Sequence, residues 1–287
     1  MRLLAGCALL LLLFAGSAAA QERLVPPMPS RHDEELALLL SSLIRDEPAV
    51  YGIAVKHLLT GQRAAVNGDR VFEAASLYKL AVMVELYAQN AEGEVDLDAE
   101  LPAWTIVGYD AAGAPIYGEP TTYSAREAMI DMITLSDNEA AHFLLFRLGP
   151  SRINQRMAAL GFPNTTVDWD TATTPNEILA MLEQMATGQL VSREASAEMI
   201  DVLLGQRVND RIPIGLPPNV PVAHKTGNLP GMAHDAGIIY APSGPFVLVI
   251  MTDDLWDTAR GYAVIHELTR QVYRYFEHRP APISRTP

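Results

Sequence analysis

The feature that constrains this chain most is where its strand-like segments lie: two near one end, three near the other, and helical periodicity between them. Residues 50–58 and 63–66 read as strands joined at Thr60-Gly61, a hairpin. Residues 222–226, 236–241 and 246–252 read as three more, with Pro242-Ser243-Gly244-Pro245 turning the last two. Between the two groups, residues 122–133, 137–148, 151–160, 175–186 and 192–204 carry apolar side chains at helical spacing, as do 32–45 and 258–276 outside it. Segments so distant in sequence make one sheet only if both ends of the chain meet. The predicted fold is α/β of the α+β type: a five-stranded antiparallel sheet built from both termini, flanking helices, and an inserted all-α lobe. Residues 31–70 and 212–279 are assigned to the α/β lobe and 71–211 to the insertion, with prolines 213, 217, 218 and 221 marking the hinge. Residues 101–120, broken by glycines and prolines, read as a long surface segment. A cleft between two lobes is a natural ligand site.

Composition narrows the partners and the compartment. Met1-Arg2, the apolar run over 9–14 and Ser17-Ala18-Ala19-Ala20 read as a secretory signal cut after Ala20, so the protein is expected to be exported, periplasmic or secreted. A proline-rich lead-in over 21–30 follows, read as extended and loosely ordered, and residues 280–287 read as a loose tail. Cys7 is the only cysteine and leaves with the signal, which excludes disulfides and thiol chemistry from the mature domain. The net charge of −13, with no Lys/Arg cluster, argues against nucleic acid. No second apolar stretch is long enough for a membrane span. The seven histidines are scattered without ligand spacing, so no metal or other cofactor is expected. A monomer acting on a small-molecule substrate is the expectation.

The chemistry centres on Ser76-Leu77-Tyr78-Lys79, at the start of a helical pattern running to about residue 90. Residues three apart share a helix face, so the Lys79 amine can reach the Ser76 hydroxyl. A serine hydroxyl attacks poorly without such a base, and lysine serves only where its surroundings favour the neutral amine. The first helical turn adds unpaired N–H groups and a positive dipole end suited to an oxyanion. Two further motifs follow in order, Ser136-Asp137-Asn138 at a helix start and Lys225-Thr226-Gly227 on the first strand after the hinge. Each alone is weak, since Ser136 and Asp137 are good helix caps in any protein and Thr226-Gly227 suits any strand end. Together, in this order, they form the triple associated with class A β-lactamases and penicillin-binding proteins.

From about residue 32 to residue 276 the chain resembles that superfamily of penicillin-recognising serine enzymes. The resemblance implies roles. Ser76 is the nucleophile and Lys79 its base or proton relay; Ser136 passes a proton toward the leaving amine, helped by Lys225. Asn138 holds the substrate's amide side chain and orients Lys79, and Thr226 binds the substrate carboxylate beside Gly227. The backbone N–H groups of Ser76 and Asn228 make the oxyanion hole.

The pattern departs from the family in two places. Many class A enzymes carry a carboxylate-binding arginine on the strand after Lys-Thr-Gly, and residues 228–237 contain none. Arg211 lies where some relatives place a substitute, or it braces the hinge. The segment between Leu160 and Pro175 is shorter than the family's Ω-loop and lacks the glutamate that activates the deacylating water. Asp168 or Asp170 can offer a carboxylate there, or serve as turn residues. Glu177 reads as a first-turn acid favoured by the helix dipole. His234 and Asp235 border the oxyanion strand or cap a turn. Trp104 and Tyr109 wall the cleft, as aromatics there do in relatives, or are structural.

The expected function is a β-lactamase-like hydrolase with slow or unusual β-lactam turnover. The alternatives are a D-alanyl-D-alanine peptidase, esterase or amidase acting on cell-wall-like peptides, and a penicillin-binding module without catalysis.

Overall fold

The computed structural model describes residues 21–103, 106–112, 114–119, 121–168 and 170–278; the expected signal segment, Trp104 and the C-terminal tail lie outside them. Along the chain, β1 (Arg31–His32) and α1 (Glu34–Ile44) lead into the hairpin β2 (Val50–His57) and β3 (Gln62–Val66). Strand β4 (Phe72–Glu73), a 3-10 turn (Ala75–Leu77) and α2 (Tyr78–Ala91) follow. Short strands β5 (Glu100–Ala103), β6 (Ile106–Tyr109), β7 (Pro115–Tyr117) and β8 (Thr121–Ser124) precede α3 (Ala125–Thr134), α4 (Asn138–Leu148) and α5 (Pro150–Ala159). Then come β9 (Ala172–Thr173), α6 (Pro175–Ala186), α7 (Arg193–Leu204) and a 3-10 turn (Ile212–Gly215). Strands β10 (Val222–Leu229), β11 (Met232–Ala241) and β12 (Gly244–Asp253) lead to the final helix α8 (Thr258–Glu277).

The helices start where side chains can satisfy free N–H groups. Asp33, Asp137, Thr174, Ser192 and Asp257 accept from the first turns of α1, α4, α6, α7 and α8. Ser124 and Glu127 form a reciprocal capping box at α3.

The main sheet has the order β1-β3-β2-β12-β11-β10. Its five long strands pair antiparallel throughout, so β2 from the start of the chain lies against β12 from its end. The two-residue β1 adds a sixth, parallel edge strand beside β3 that the sequence pattern missed. It arises because the lead-in is fastened rather than loose. Val25 N–H donates to the Ala186 carbonyl at 3.0 Å, Lys56 Nζ to the Met28 carbonyl at 2.7 Å, and Arg31 N–H to the Gly61 carbonyl at 2.7 Å. Gly61, at φ +73°, is required there, since a Cβ would lie 2.1 Å from the Pro29 carbonyl oxygen.

Strand β12 is buried on both faces and alternates between two cores. Phe246, Leu248 and Ile250 pack with Leu36, Leu40, Ile265, Leu268 and Val272 of α1 and α8. Val247, Val249 and Met251 pack with the cluster that includes Leu80, Met83, Ile178 and Leu182 of α2 and α6. The helical middle is not all α: β4 pairs with β9, β5 with β8 and β6 with β7, each antiparallel. The segment over 101–120 therefore holds strand pairs where no regular structure was expected.

Candidate active site

The nucleophile segment is clamped before its helix begins. Phe72 and Glu73 pair with Thr173 and Ala172, and Ala74 N–H donates to the Thr171 carbonyl at 2.9 Å. Ala75 then takes φ +44°, a conformation L-residues adopt only when their surroundings enforce it, and the chain turns into the 3-10 helix carrying Ser76. Leu77 and Leu80, fully buried, pin the turn from below, and Ser76 is half-buried.

One helical turn later the Lys79 side chain is fully enclosed. Its Nζ donates to the Ser136 carbonyl at 2.7 Å, Asn138 Oδ1 at 2.8 Å and the Asp137 carbonyl at 3.2 Å, with Ser136 Oγ at 3.4 Å. Ser136 turns toward the two lysines through a positive φ of +58°. Asp137 caps α4 by accepting from Ala140 N–H at 2.8 Å. From the opposite side, Lys225 Nζ donates to Ser136 Oγ at 2.8 Å and to the Thr226 carbonyl at 2.8 Å. Two lysines thus converge on one hydroxyl. Burial pulls the Lys79 amine down to about 8, with Asp137 opposing. Burial, then the charge on Lys79, pulls Lys225 down to about 7, with Asp235 opposing. The site has the means to hold a neutral amine near neutral pH.

Strand β10 passes close to the nucleophile because position 227 has no side chain. A Cβ on Gly227 would lie 3.2 Å from Ser76 N and 3.3 Å from Ala75 Cβ. Thr226 is buried on this strand, and Asn228 is exposed. Arg211, only 1% exposed, reaches under the strand end: its Nη2 donates to Asn228 Oδ1 and, at 2.6 Å, to the Tyr262 hydroxyl, and its Nη1 to the His234 carbonyl at 3.4 Å. The guanidinium stacks on the Tyr262 ring, 4.7 Å from the centroid.

Behind β10 lies a polar set centred on the buried His224 and Asp235. His224 Nδ1 and Asp235 Oδ1 are 2.8 Å apart, His224 Nε2 and Asn209 Oδ1 are 2.9 Å apart, and Asp235 Oδ2 accepts from Ile212 N–H at 2.9 Å. Asp235 is therefore no turn cap; it ties the 3-10 turn after Arg211 to the sheet. His234 is not a cap either. Fully buried, its Nδ1 accepts from Thr252 N–H at 3.1 Å, so its Nε2 carries the proton and donates to the Glu73 carbonyl at 3.0 Å. Its signal in the sequence was a pair of polar residues, His234-Asp235, in an otherwise apolar strand.

The short loop before α6 is closed by Glu177, which sits in the first turn of that helix as its sequence position predicts and also reaches back to the loop. Glu177, buried, accepts from Asn164 N–H at 3.0 Å, Asn164 Nδ2 at 2.7 Å and Thr165 Oγ1 at 2.6 Å. Asp168 is exposed and accepts from Asn154 Nδ2 at 2.8 Å. Asp170 is exposed, and its carbonyl accepts weakly from Thr166 Oγ1 at 3.5 Å. Tyr109 lies on β6, on the far side of α2 in sequence, and is described in backbone only. Among the described residues no cluster of His, Cys, Asp or Glu is arranged to hold a metal ion.

A model of the Beta-lactamase enzyme family matches residues 35–276. The chain belongs to that family. A mutant of PBP-A, solved as an acyl-enzyme complex with penicillin G, is 26% identical with a TM-score of 0.77, over 87% of this chain and 99% of that one. A mutant of the class A β-lactamase of the last common ancestor of Gram-negative bacteria is 26% identical with a TM-score of 0.74, over 85% of this chain and 100% of that one. A β-lactamase from Sphaerobacter thermophilus DSM 20745, 23% identical with a TM-score of 0.74 over 86% and 98%, shares the fold. No curated protein matches. The protein is thus a hydrolase-type member of the class A β-lactamase-like superfamily, whose fold binds small-molecule substrates. No helix among the described residues is long and apolar enough to cross a membrane.

Proposed function

We propose that this β-lactamase-family protein is a serine acyl hydrolase that β-lactams acylate at Ser76 and that releases the acyl group slowly. The observation that carries the reading is the convergence of Lys79 and Lys225 on Ser136, with Ser76 N within reach of Gly227. A neutral Lys79 amine that donates two N–H groups to the Ser136 carbonyl and Asn138 Oδ1 keeps a lone pair for the Ser76 proton. As Ser76 Oγ bonds to the lactam carbonyl carbon, that proton passes to Lys79 Nζ and the carbonyl oxygen takes the charge, facing the N–H groups of Ser76 and Asn228. Collapse breaks the carbon–nitrogen bond, and the nitrogen takes a proton through Ser136 Oγ from the lysine pair. Thr226 and the positive charge of Lys225 and Arg211 receive the substrate's carboxylate.

Release of the acyl group needs water and a proton acceptor, and the loop offers no glutamate. Asp170 is the carboxylate to test first. It is exposed and directly precedes the 171–173 segment that pairs with 72–74 ahead of the nucleophile, whereas Asp168 is engaged by Asn154. The same shortened loop, with Glu177 consumed in closing it, supports a second reading as a penicillin-binding peptidase or esterase on cell-wall-like peptides, in keeping with the likeness to PBP-A. We further infer export after cleavage near Ala20 and action as a monomer.

Intact mass against time, after mixing with benzylpenicillin, tests the reading, with Ser76→Ala as control. An adduct on the wild type alone that persists for many minutes is expected. Rapid loss of both adduct and drug would instead mean an efficient β-lactamase, and an adduct that survives Ser76→Ala would sink the assignment.

A further inference from the structure

Arg211, the residue to which the resemblance gives the substrate's carboxylate, is buried and its Nη2 is already shared between two acceptors. The geometry around it fixes hydrogen directions. Guanidinium only donates, so the Asn228 atom facing it is Oδ1, and Asn228 Nδ2 must turn to the Tyr262 hydroxyl, 3.0 Å away. Tyr262 Oη therefore accepts twice, from Arg211 and from Asn228, which fills both its acceptor positions. Its own proton has no acceptor among the described residues, and the side chain is only half-buried. Thr226 and Asn228 are two apart on β10, so their side chains share one face of the strand, and Tyr262 adjoins it through Asn228.

Resting on the acyl-enzyme reading above, we propose that the Tyr262 hydroxyl is a carboxylate-binding donor, through which the enclosed Arg211 acts on the substrate's anion without touching it. Accepting from a guanidinium polarises the phenol O–H and strengthens it as a donor.

The test compares acylation of Ser76 by benzylpenicillin and by its methyl ester in the wild type and in Tyr262→Phe, which keeps the ring over Arg211. Acylation by benzylpenicillin is expected to fall about tenfold, as for loss of one charge-assisted hydrogen bond, with the ester rate unchanged. Equal losses on both probes, or no loss on either, overturn the proposal, the first because it marks mere support for Arg211. Should Tyr262→Phe not fold, 3-fluorotyrosine placed at 262 in the Ser76→Ala protein replaces it. Its fluorine NMR signal is expected to shift with benzylpenicillin and not with the ester; a signal that ignores benzylpenicillin overturns the proposal. A wild type that forms no adduct with either probe overturns the acyl-enzyme reading and this assignment together. An adduct-forming wild type with an indifferent Tyr262→Phe overturns the assignment alone.

Discussion

Lys79 and Lys225 meet at the Ser136 hydroxyl, so one proton can pass between the two amines. Burial draws Lys79 to about 8 and Lys225 to about 7, so between those values one ammonium and one free amine share the site, with the free amine chiefly on Lys225. The productive arrangement, neutral Lys79 beside charged Lys225, is reached by moving one proton from Lys79 to Lys225 through Ser136 Oγ. Below the window both are charged and no base is available; above it the proton destined for the leaving nitrogen is gone. The rate of Ser76 acylation is expected to be bell-shaped in pH with its maximum near 7–8, and a rate independent of pH from 6 to 9 would exclude the lysine pair as the proton carrier. Asp170→Asn is expected to lengthen the life of the acyl-enzyme at least tenfold, while Asp168→Asn leaves it unchanged, both read by intact mass. The residues that meet at Ser136 were legible as sequence motifs because motif chemistry is local. Tyr262 was not, because its partners Asn228 and Arg211 lie on other elements and a tyrosine in a helix carries no pattern of its own.

At the scale of elements, the site depends on two close approaches between segments. Strand β10 reaches the nucleophile turn only because of Gly227; the atoms a methyl group would meet, Ser76 N and Ala75 Cβ, belong to a clamped, left-handed turn that has little freedom to yield. Gly227→Ala is expected to slow acylation at least tenfold and to lower Tm, and an unchanged rate would mean that β10 is further from the reacting atoms than this geometry requires. The loop before α6 is held by Glu177, whose carboxylate satisfies three donors from Asn164 and Thr165. Glu177→Ala, which strands those donors, is expected to cost about 1–3 kcal/mol per buried group left unpaired and to expose residues 163–172 to proteolysis. The helices and long strands were readable from periodicity and caps. The two-residue strands β1, β4 and β9 were not, because so short a run has no period; long-range pairing, not local preference, makes them.

For the molecule as a whole, His234 joins the sheet to the nucleophile segment: it accepts from Thr252 and donates to the Glu73 carbonyl. Burial holds its pKa down to about 4, below that of an unfolded histidine. Between about 4 and 6.5 the unfolded chain therefore binds the extra proton and the folded one does not, so stability falls as pH falls through that range, by on the order of 3 kcal/mol for this group. Tm measured from pH 7 to 4.5 is expected to drop less in His234→Gln than in the wild type; parallel curves would assign the acid sensitivity to other groups. The sheet itself has a consequence for how the chain comes into being. Strand β2 is made early, yet its partner on one side is β12, and β12 is made almost last. A growing chain cannot close the sheet beside β2 until nearly the whole polypeptide has left the ribosome. A chain whose central sheet is still open is one that can still be threaded through a narrow pore.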